Sequence, residues 1–254
     1  MKTLMYERLT NLYPLFRESL EERKGAEKDE TEFILGVVGT FGGKVKTIID
    51  LGGGVGMHSK ILASQGYDVT IFDQSKNALL QAKKGYIQLK TAQGTFETIA
   101  LQKNYDAAIC MWSTFPYILN AKGRKHFFHW LKSHIKQVII LEEANFYRYI
   151  TMREFHKTYA PVNNKQYQLT VTRDWIINQN RIRESSYVYT ITNKKTGERR
   201  VIQDTETQQY LTVKEVKSLL GKRWKLKKLL GDFNVHKKFD QNKSSRCIMI
   251  FGNF

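Results

Sequence analysis

The chain has 254 residues, enough for one substantial core with a smaller appendage and too few for two full-sized domains. A hydrophobic share of 41% with 12% aromatics suits a globular protein in water, and no stretch approaches the ~20 apolar residues of a membrane span. The net charge of +17 is unevenly placed: residues 1–146 hold 19 Lys/Arg against 15 Asp/Glu, whereas residues 147–254 hold 22 against 9. Such a second half either favours anionic partners, nucleic acid or an acidic small molecule, or is a solubilising lysine surface.

At the start, Tyr6, Leu9 and Leu12–Tyr13 recur at helical spacing before Pro14, and a second helical piece carries Phe16 and Leu20. Glu7 and Arg8 stand where a secretion signal needs unbroken apolar residues, so the expected location is cytoplasmic. The run EERKGAEKDE reads as a solvated turn, and ETEFILGVVGTF as an apolar helix stopped by Gly42–Gly43.

A regular alternation follows. KTIIDL and DVTIFD read as buried strands flanking the helix GMHSKILASQG. Ser75 caps the next helix, IQLKTAQG is a third strand, YDAAICMW a fourth and KQVIILEEA a fifth, the last two separated by the helix KGRKHFFHWLKSHI. Apolar strands joined by helices of this length predict a parallel sheet covered on both faces. After Asn145 the pattern changes to three antiparallel strands joined at Asn178–Asn180 and Lys194–Gly197, beginning at residue 166. Thr212 and Glu215 form a capping box for the helix VKEVKSLL, and WKLKKLLGDF and RCIMIFGNF supply two final, adjacent strands. The expected organisation is α/β: an N-terminal helical cap (1–45), a core (46–146), an antiparallel β insertion (147–210) and the end of the core (211–254).

The chemistry concentrates in TIIDLGGGVGMHSKILASQGYDVTIFD, residues 47–73. A strand that ends in a glycine turn and feeds a helix aims free N–H groups and a positive dipole end at a crevice. An acid closing the next strand, Asp73, 21 positions beyond Gly52, can accept from both hydroxyls of a ribose. The spacing rejects a dinucleotide fingerprint, because Met57 and Ser59 stand where the third glycine of G-x-G-x-x-G belongs. No nucleoside triphosphate loop follows either. Cys110 and Cys247 fall in apolar strands and read as buried thiols, and the HFFH pair His126 and His129 lacks further ligands, so no metal is expected.

Asp50-Leu51-Gly52-Gly53-Gly54-Val55-Gly56, with His58 and Asp73, resembles motif I of the class I S-adenosylmethionine-dependent methyltransferases, small-molecule branch. The resemblance covers residues 46–145 well, the last two strands by pattern only, and 147–210 weakly. It implies a Rossmann-like, mostly parallel seven-stranded sheet with helices on both faces, and S-adenosylmethionine as cofactor. It places Gly52, Gly53, Gly54 and Gly56 around the methionine and ribose, Asp50 near the amino group, Asp73 on the ribose diol and Gln74 at the adenine edge. The acid many relatives carry after the third strand is replaced here in Gly94-Thr95-Phe96, leaving Thr95 and Phe96 at that position. Met111 and Trp112 would flank the methionine and the acceptor, and Tyr6 and Tyr13 resemble N-terminal tyrosines that close over the site.

The resemblance therefore implies methyl transfer to N or O of a small molecule, with residues 147–210 as a lid. Arg148 and Arg153, with the alternating Arg181, Arg183, Tyr187 and Tyr189, are candidates for an anionic or sugar-like acceptor. If a general base is needed, Glu142, Glu143 and His156 are the candidates, Glu143 being preferred and His156 next. RNA or protein methylation, motivated by the basic second half, and a non-catalytic binding protein on the same scaffold are the alternative functions. A monomer or a homodimer is expected.

Overall fold

The structure, a computed structural model, describes residues 4–21, 26–41 and 44–253. Seven strands form one sheet in the order β3-β2-β1-β4-β5-β12-β11: β1 is Thr47–Leu51, β2 Asp68–Asp73, β3 Lys90–Gln93, β4 Tyr105–Cys110, β5 Ile135–Ala144, β11 Lys225–Leu230 and β12 Arg246–Gly252. The first five run parallel, β12 is antiparallel to β5, and β11 is antiparallel to β12. The fold is the Rossmann-like one expected. Strand order reverses between β1 and its neighbours β2 and β4, which opens a crevice at the carboxyl ends of the strands.

Alternation along each strand divides the apolar residues between two cores. On one face Ile49, Ala108 and Ile139 meet Phe127 and Leu131 of α6 (Ala121–His134) and Val216 of α8 (Val213–Leu220). On the other, Ile48, Ile71 and Ile140 meet Ile34 and Val37 of α3 (Ala26–Phe41) and Leu62 of α4 (Met57–Ser64). Burial on both faces is what the near-continuous apolar runs required. The capping box at Thr212 and Glu215 is present in full.

A second sheet, antiparallel throughout, runs β10-β9-β8-β6, with the short β7 also on β8. Here β6 is Glu154–Thr158, β7 Val162–Asn163, β8 Tyr167–Ile177, β9 Ile182–Asn193 and β10 Arg199–Gln209. One end of its inner face is apolar: Leu169, Val171 and Tyr189 pack with Leu12 and with Phe16 of α2 (Tyr13–Glu21), so the N-terminal helices join this sheet to the core. The three expected strands are β8, β9 and β10. Helix α7 (Phe146–Met152), β6 and β7 precede them and were not foreseen. Their lengths, seven, five and two residues, leave too few turns or alternations for a periodic signal.

The expected solvated turn at EERKGAEKDE needs correction. Residues 26–30 belong to α3, and Glu30 is 2% exposed. Residues 22–25 and the stop at Gly42–Gly43 lie outside the described residues.

Candidate functional site

The glycine turn after β1 takes its shape from backbone that side chains avoid. Gly52, Gly54 and Gly56 all have positive φ, at 74°, 53° and 74°. A Cβ on Gly52 would collide with the Thr114 side chain, and one on Gly53 would lie 2.5 Å from a carboxylate oxygen of Asp50. Asp50 sits beneath the loop, 2% exposed, accepting from Ser59 Oγ at 2.6 Å. Its place is therefore as a brace between the strand end and α4, and it does not line the cavity above.

Asp73 closes β2 beside this loop. Its Oδ2 accepts from the Gly54 N–H at 2.9 Å and its Oδ1 from the Ser75 N–H at 2.8 Å, so each oxygen retains one lone pair. Burial pushes its pKa up to about 6, against the pull of the two N–H groups. Together with Gly52, Gly54 and Gln74 it lines a cavity whose far wall carries Gly94, Thr95 and Phe96. Glu97 lines it as well. It lies on the 3-10 turn Phe96–Thr98, which turns back toward the cavity. Sequence reasoning sought the acid only at the position of Thr95 and missed it.

The roof comes from the N-terminus. Tyr6 and Tyr13 meet with tilted rings, centroids 5.5 Å apart, and Tyr13 meets Trp112 at 6.0 Å. Trp112 and Ser113 both adopt positive φ (57° and 56°), a conformation that L residues hold only where their surroundings impose it. Here Glu142 Oε2 accepts from the Ser113 N–H, Ser113 Oγ accepts from the Ala144 N–H, and Gln208 Nε2 donates to the Ser113 carbonyl. The turn thereby throws the Trp112 ring outward, where its Nε1 donates to Glu30 at 2.6 Å and Arg17 covers its face at 3.9 Å.

Behind this roof lies a second chamber, between the strand ends and the inner face of the second sheet. It shares Tyr6, Tyr13, Trp112 and Tyr117 with the first cavity. Its walls are charged. Glu206 accepts from Tyr187 at 2.7 Å, from Arg183 at 3.1 Å and from Tyr117. Burial alone would raise the Glu206 carboxyl, but Arg183 and Arg173 hold it below the usual range. Across the chamber Arg246 binds Glu142 at 3.0 Å and Glu21 at 2.8 Å. Glu30 joins them and also accepts from His58, whose Nε2 lies 2.9 Å away.

Several predicted residues fall elsewhere. Glu143 points to the α6 and α8 side of the sheet, fully buried opposite Cys247, while its neighbour Glu142 faces the chamber. Period-2 alternation separates the two. His156 is exposed on the outside of the second sheet, bonded to Asp174. Neither reaches the cavities, and these two candidate bases are corrected on that ground. Arg148 and Arg153 are exposed at α7 and its end, away from the chamber, where Arg173, Arg183, Arg17 and Arg246 stand instead. Met111 is buried in the core, Gly56 packs toward Ile71, and His58 serves Glu30 rather than the cavity. Among the described residues no cluster of His, Cys, Asp or Glu could hold a metal ion, and no helix is long and apolar enough to cross a membrane.

The first cavity fits S-adenosylmethionine. A floor of glycine in left-handed backbone, with no room for a Cβ at Gly52, two free lone pairs on Asp73 for a diol, an amide, an acid, and aromatic faces suited to a sulfonium line it. Residues 48–137 match the family model described as "Methyltransferase domain". The glycine/sarcosine N-methyltransferase of Halorhodospira halochloris is 32% identical over 108 residues, covering 39% of this chain and 40% of that protein. Among solved structures, an S-adenosylmethionine-dependent methyltransferase from Clostridium acetobutylicum superposes with a TM-score of 0.79 at 13% identity, covering 96% and 99% of the two chains. An amino pentose methyltransferase from Micromonospora echinaspora, with S-adenosylmethionine bound, gives 0.72 at 12% identity over 94% and 97%. A sugar N-methyltransferase from Streptoalloteichus gives 0.73 at 13% identity over 94% and 92%. Residues 48–137 thus resemble a methyltransferase domain, and the chain takes the Rossmann-like fold seen in S-adenosylmethionine-dependent methyltransferases.

Proposed function

We propose that this protein transfers a methyl group from S-adenosylmethionine to a nitrogen or oxygen atom of a small molecule held beneath the second sheet. The observation that carries this reading is the shared wall: Tyr6, Tyr13, Trp112 and Tyr117 border both the glycine-floored cavity and the charged chamber. Residues common to both linings mark where the two cavities adjoin, and a donor and an acceptor that meet at that junction can align for an in-line displacement. The chamber lies under residues 154–209, which favours a small acceptor covered by the second sheet. The relatives named for glycine/sarcosine, amino pentose and sugar N-methylation support a small acceptor.

When bound, the cofactor supplies a methyl group already activated by its sulfonium. The chain's contribution is to hold the nucleophile and exclude water. Burial keeps the Tyr6 and Tyr117 phenols well above their ordinary pKa, so they stay protonated and serve as donors and π faces, not as bases. Glu142 and Glu30, on the chamber wall, are placed to hold the proton of an acceptor that arrives as an ammonium.

Incubation with methyl-labelled cofactor and separated small-molecule, RNA and protein fractions tests the reading. Label is expected in the small-molecule fraction, and Trp112→Ala should lower kcat at least about tenfold while the cofactor Kd moves only a few-fold. Label confined to RNA or protein would overturn it.

A further inference from the structure

The two ends of the acceptor chamber are built from side chains of opposite charge. At the second sheet two guanidinium groups, Arg173 and Arg183, share one carboxylate, Glu206. Arg183 is 4% exposed, and the Nε atoms of both arginines are buried without any hydrogen-bond partner. Gln208 and Tyr187 complete this end without charge, and the buried Asp204, two positions before Glu206 on β10, accepts from the Met5 N–H. Buried guanidinium N–H groups left unpaired are costly, which points to a missing anionic acceptor of hydrogen bonds.

At the opposite end the balance is reversed. Glu21, Glu30 and Glu142 surround two guanidinium groups, Arg17 and Arg246. Asp232, also on this wall, is matched by Lys237 at 3.0 Å. His58 Nε2 lies 2.9 Å from Glu30. The Glu30 and Glu142 carboxylates thus stand between Trp112 and the end of β5, bonded to the Trp112 Nε1 and the Ser113 N–H.

Resting on the proposed methyl transfer, we infer that the acceptor is a zwitterion: a primary or secondary amine bearing one anionic group, with the anion on Arg173 and Arg183 and the amine toward Glu142, Glu30 and the aromatic junction. A monoanion supplies the two orphaned Nε groups with charged partners. An ammonium pairs with the acidic end, passes one proton to the Glu142 carboxylate and then turns its nitrogen lone pair to the aromatic junction. Neither a neutral sugar hydroxyl nor a simple cationic amine engages both ends. A carboxylate and a phosphate satisfy the arginine end by the same chemistry.

The test uses the full chain and a matched panel. Amino acids are assayed beside their methyl esters and N-acetyl forms, and amino-sugar phosphates beside their dephosphorylated forms, with methyl transfer read as S-adenosylhomocysteine released. Cofactor binding is titrated separately. Zwitterions should be methylated at least tenfold faster than both matched forms, and the carboxylate and phosphate arms tell which anion is used. In Arg183→Gln, and independently in Arg173→Gln, this preference should collapse toward unity through a raised acceptor KM, with cofactor affinity retained. Equal or better transfer to esters, alcohols or neutral amines, or no transfer to any zwitterion while the cofactor binds, would overturn the inference and leave the methyltransferase reading intact. Absence of cofactor binding would instead defeat that reading itself.

Discussion

At the scale of single residues, Glu142 and Glu143 show how one step along a strand decides a role. Both are fully buried, yet Glu142 is satisfied by Arg246 and the Ser113 N–H, whereas neither carboxylate oxygen of Glu143 has a hydrogen-bond partner. Burial pushes the Glu143 pKa well above the ordinary 4.5. A carboxyl whose folded-state pKa is raised binds its proton more tightly when folded, so stability falls as pH rises from the unfolded value toward the folded one. Glu143→Gln removes that titration. Melting temperatures of variant and parent should coincide near pH 4 and diverge in favour of the variant toward pH 8, with kcat and KM unchanged. A catalytic Glu143 would instead lose activity.

At the scale of elements, the roof of the cofactor cavity is tied to the core through a helix cap. Ser75 caps α5 (Lys76–Gly85) by accepting from the Ala78 N–H at 3.1 Å, and its hydroxyl donates to the Tyr6 carbonyl at 2.6 Å. Ser75→Ala removes both bonds. The expected cost is ~1–2 kcal/mol, about 2–6 °C in melting temperature, with faster cofactor dissociation because the Tyr6 segment is released. Stopped-flow fluorescence and calorimetry check the two effects. A change in melting temperature with an unaltered off-rate would separate the cap from the roof.

This level also explains what the sequence could and could not disclose. The loop, Asp73 and Ser75 lie within 29 residues of Thr47 in one strand-turn-helix-strand unit, where spacing alone fixes geometry. The chamber has no such local signature. Arg173, Arg183, Glu206, Glu142 and Arg246 come from five strands of two sheets and meet only through long-range pairing. Alternation in β8 and β9 revealed two faces without saying which one the chamber occupies, so Arg183 and Tyr187 were identified while Arg173 and Glu206 were not.

At the scale of the whole molecule, two sheets are joined by an N-terminal helical segment and enclose two cavities that share one aromatic wall. The surplus of basic residues in 147–254 contributes Arg173, Arg183 and Arg246 to the chamber, so part of that surplus is internal recognition charge rather than surface. The central claim is that the glycine-floored cavity holds S-adenosylmethionine through Asp73. Calorimetric titration of the parent and Asp73→Ala with S-adenosylmethionine and S-adenosylhomocysteine, between pH 5 and 8, tests it most directly. Loss of two charge-assisted hydrogen bonds predicts at least ~100-fold weaker binding in the variant. Because burial sets the Asp73 pKa near about 6, parental affinity should be flat above that pH and fall toward tenfold per unit below it, a slope the variant lacks. No binding to the parent, or equal binding by Asp73→Ala at every pH, would contradict the account.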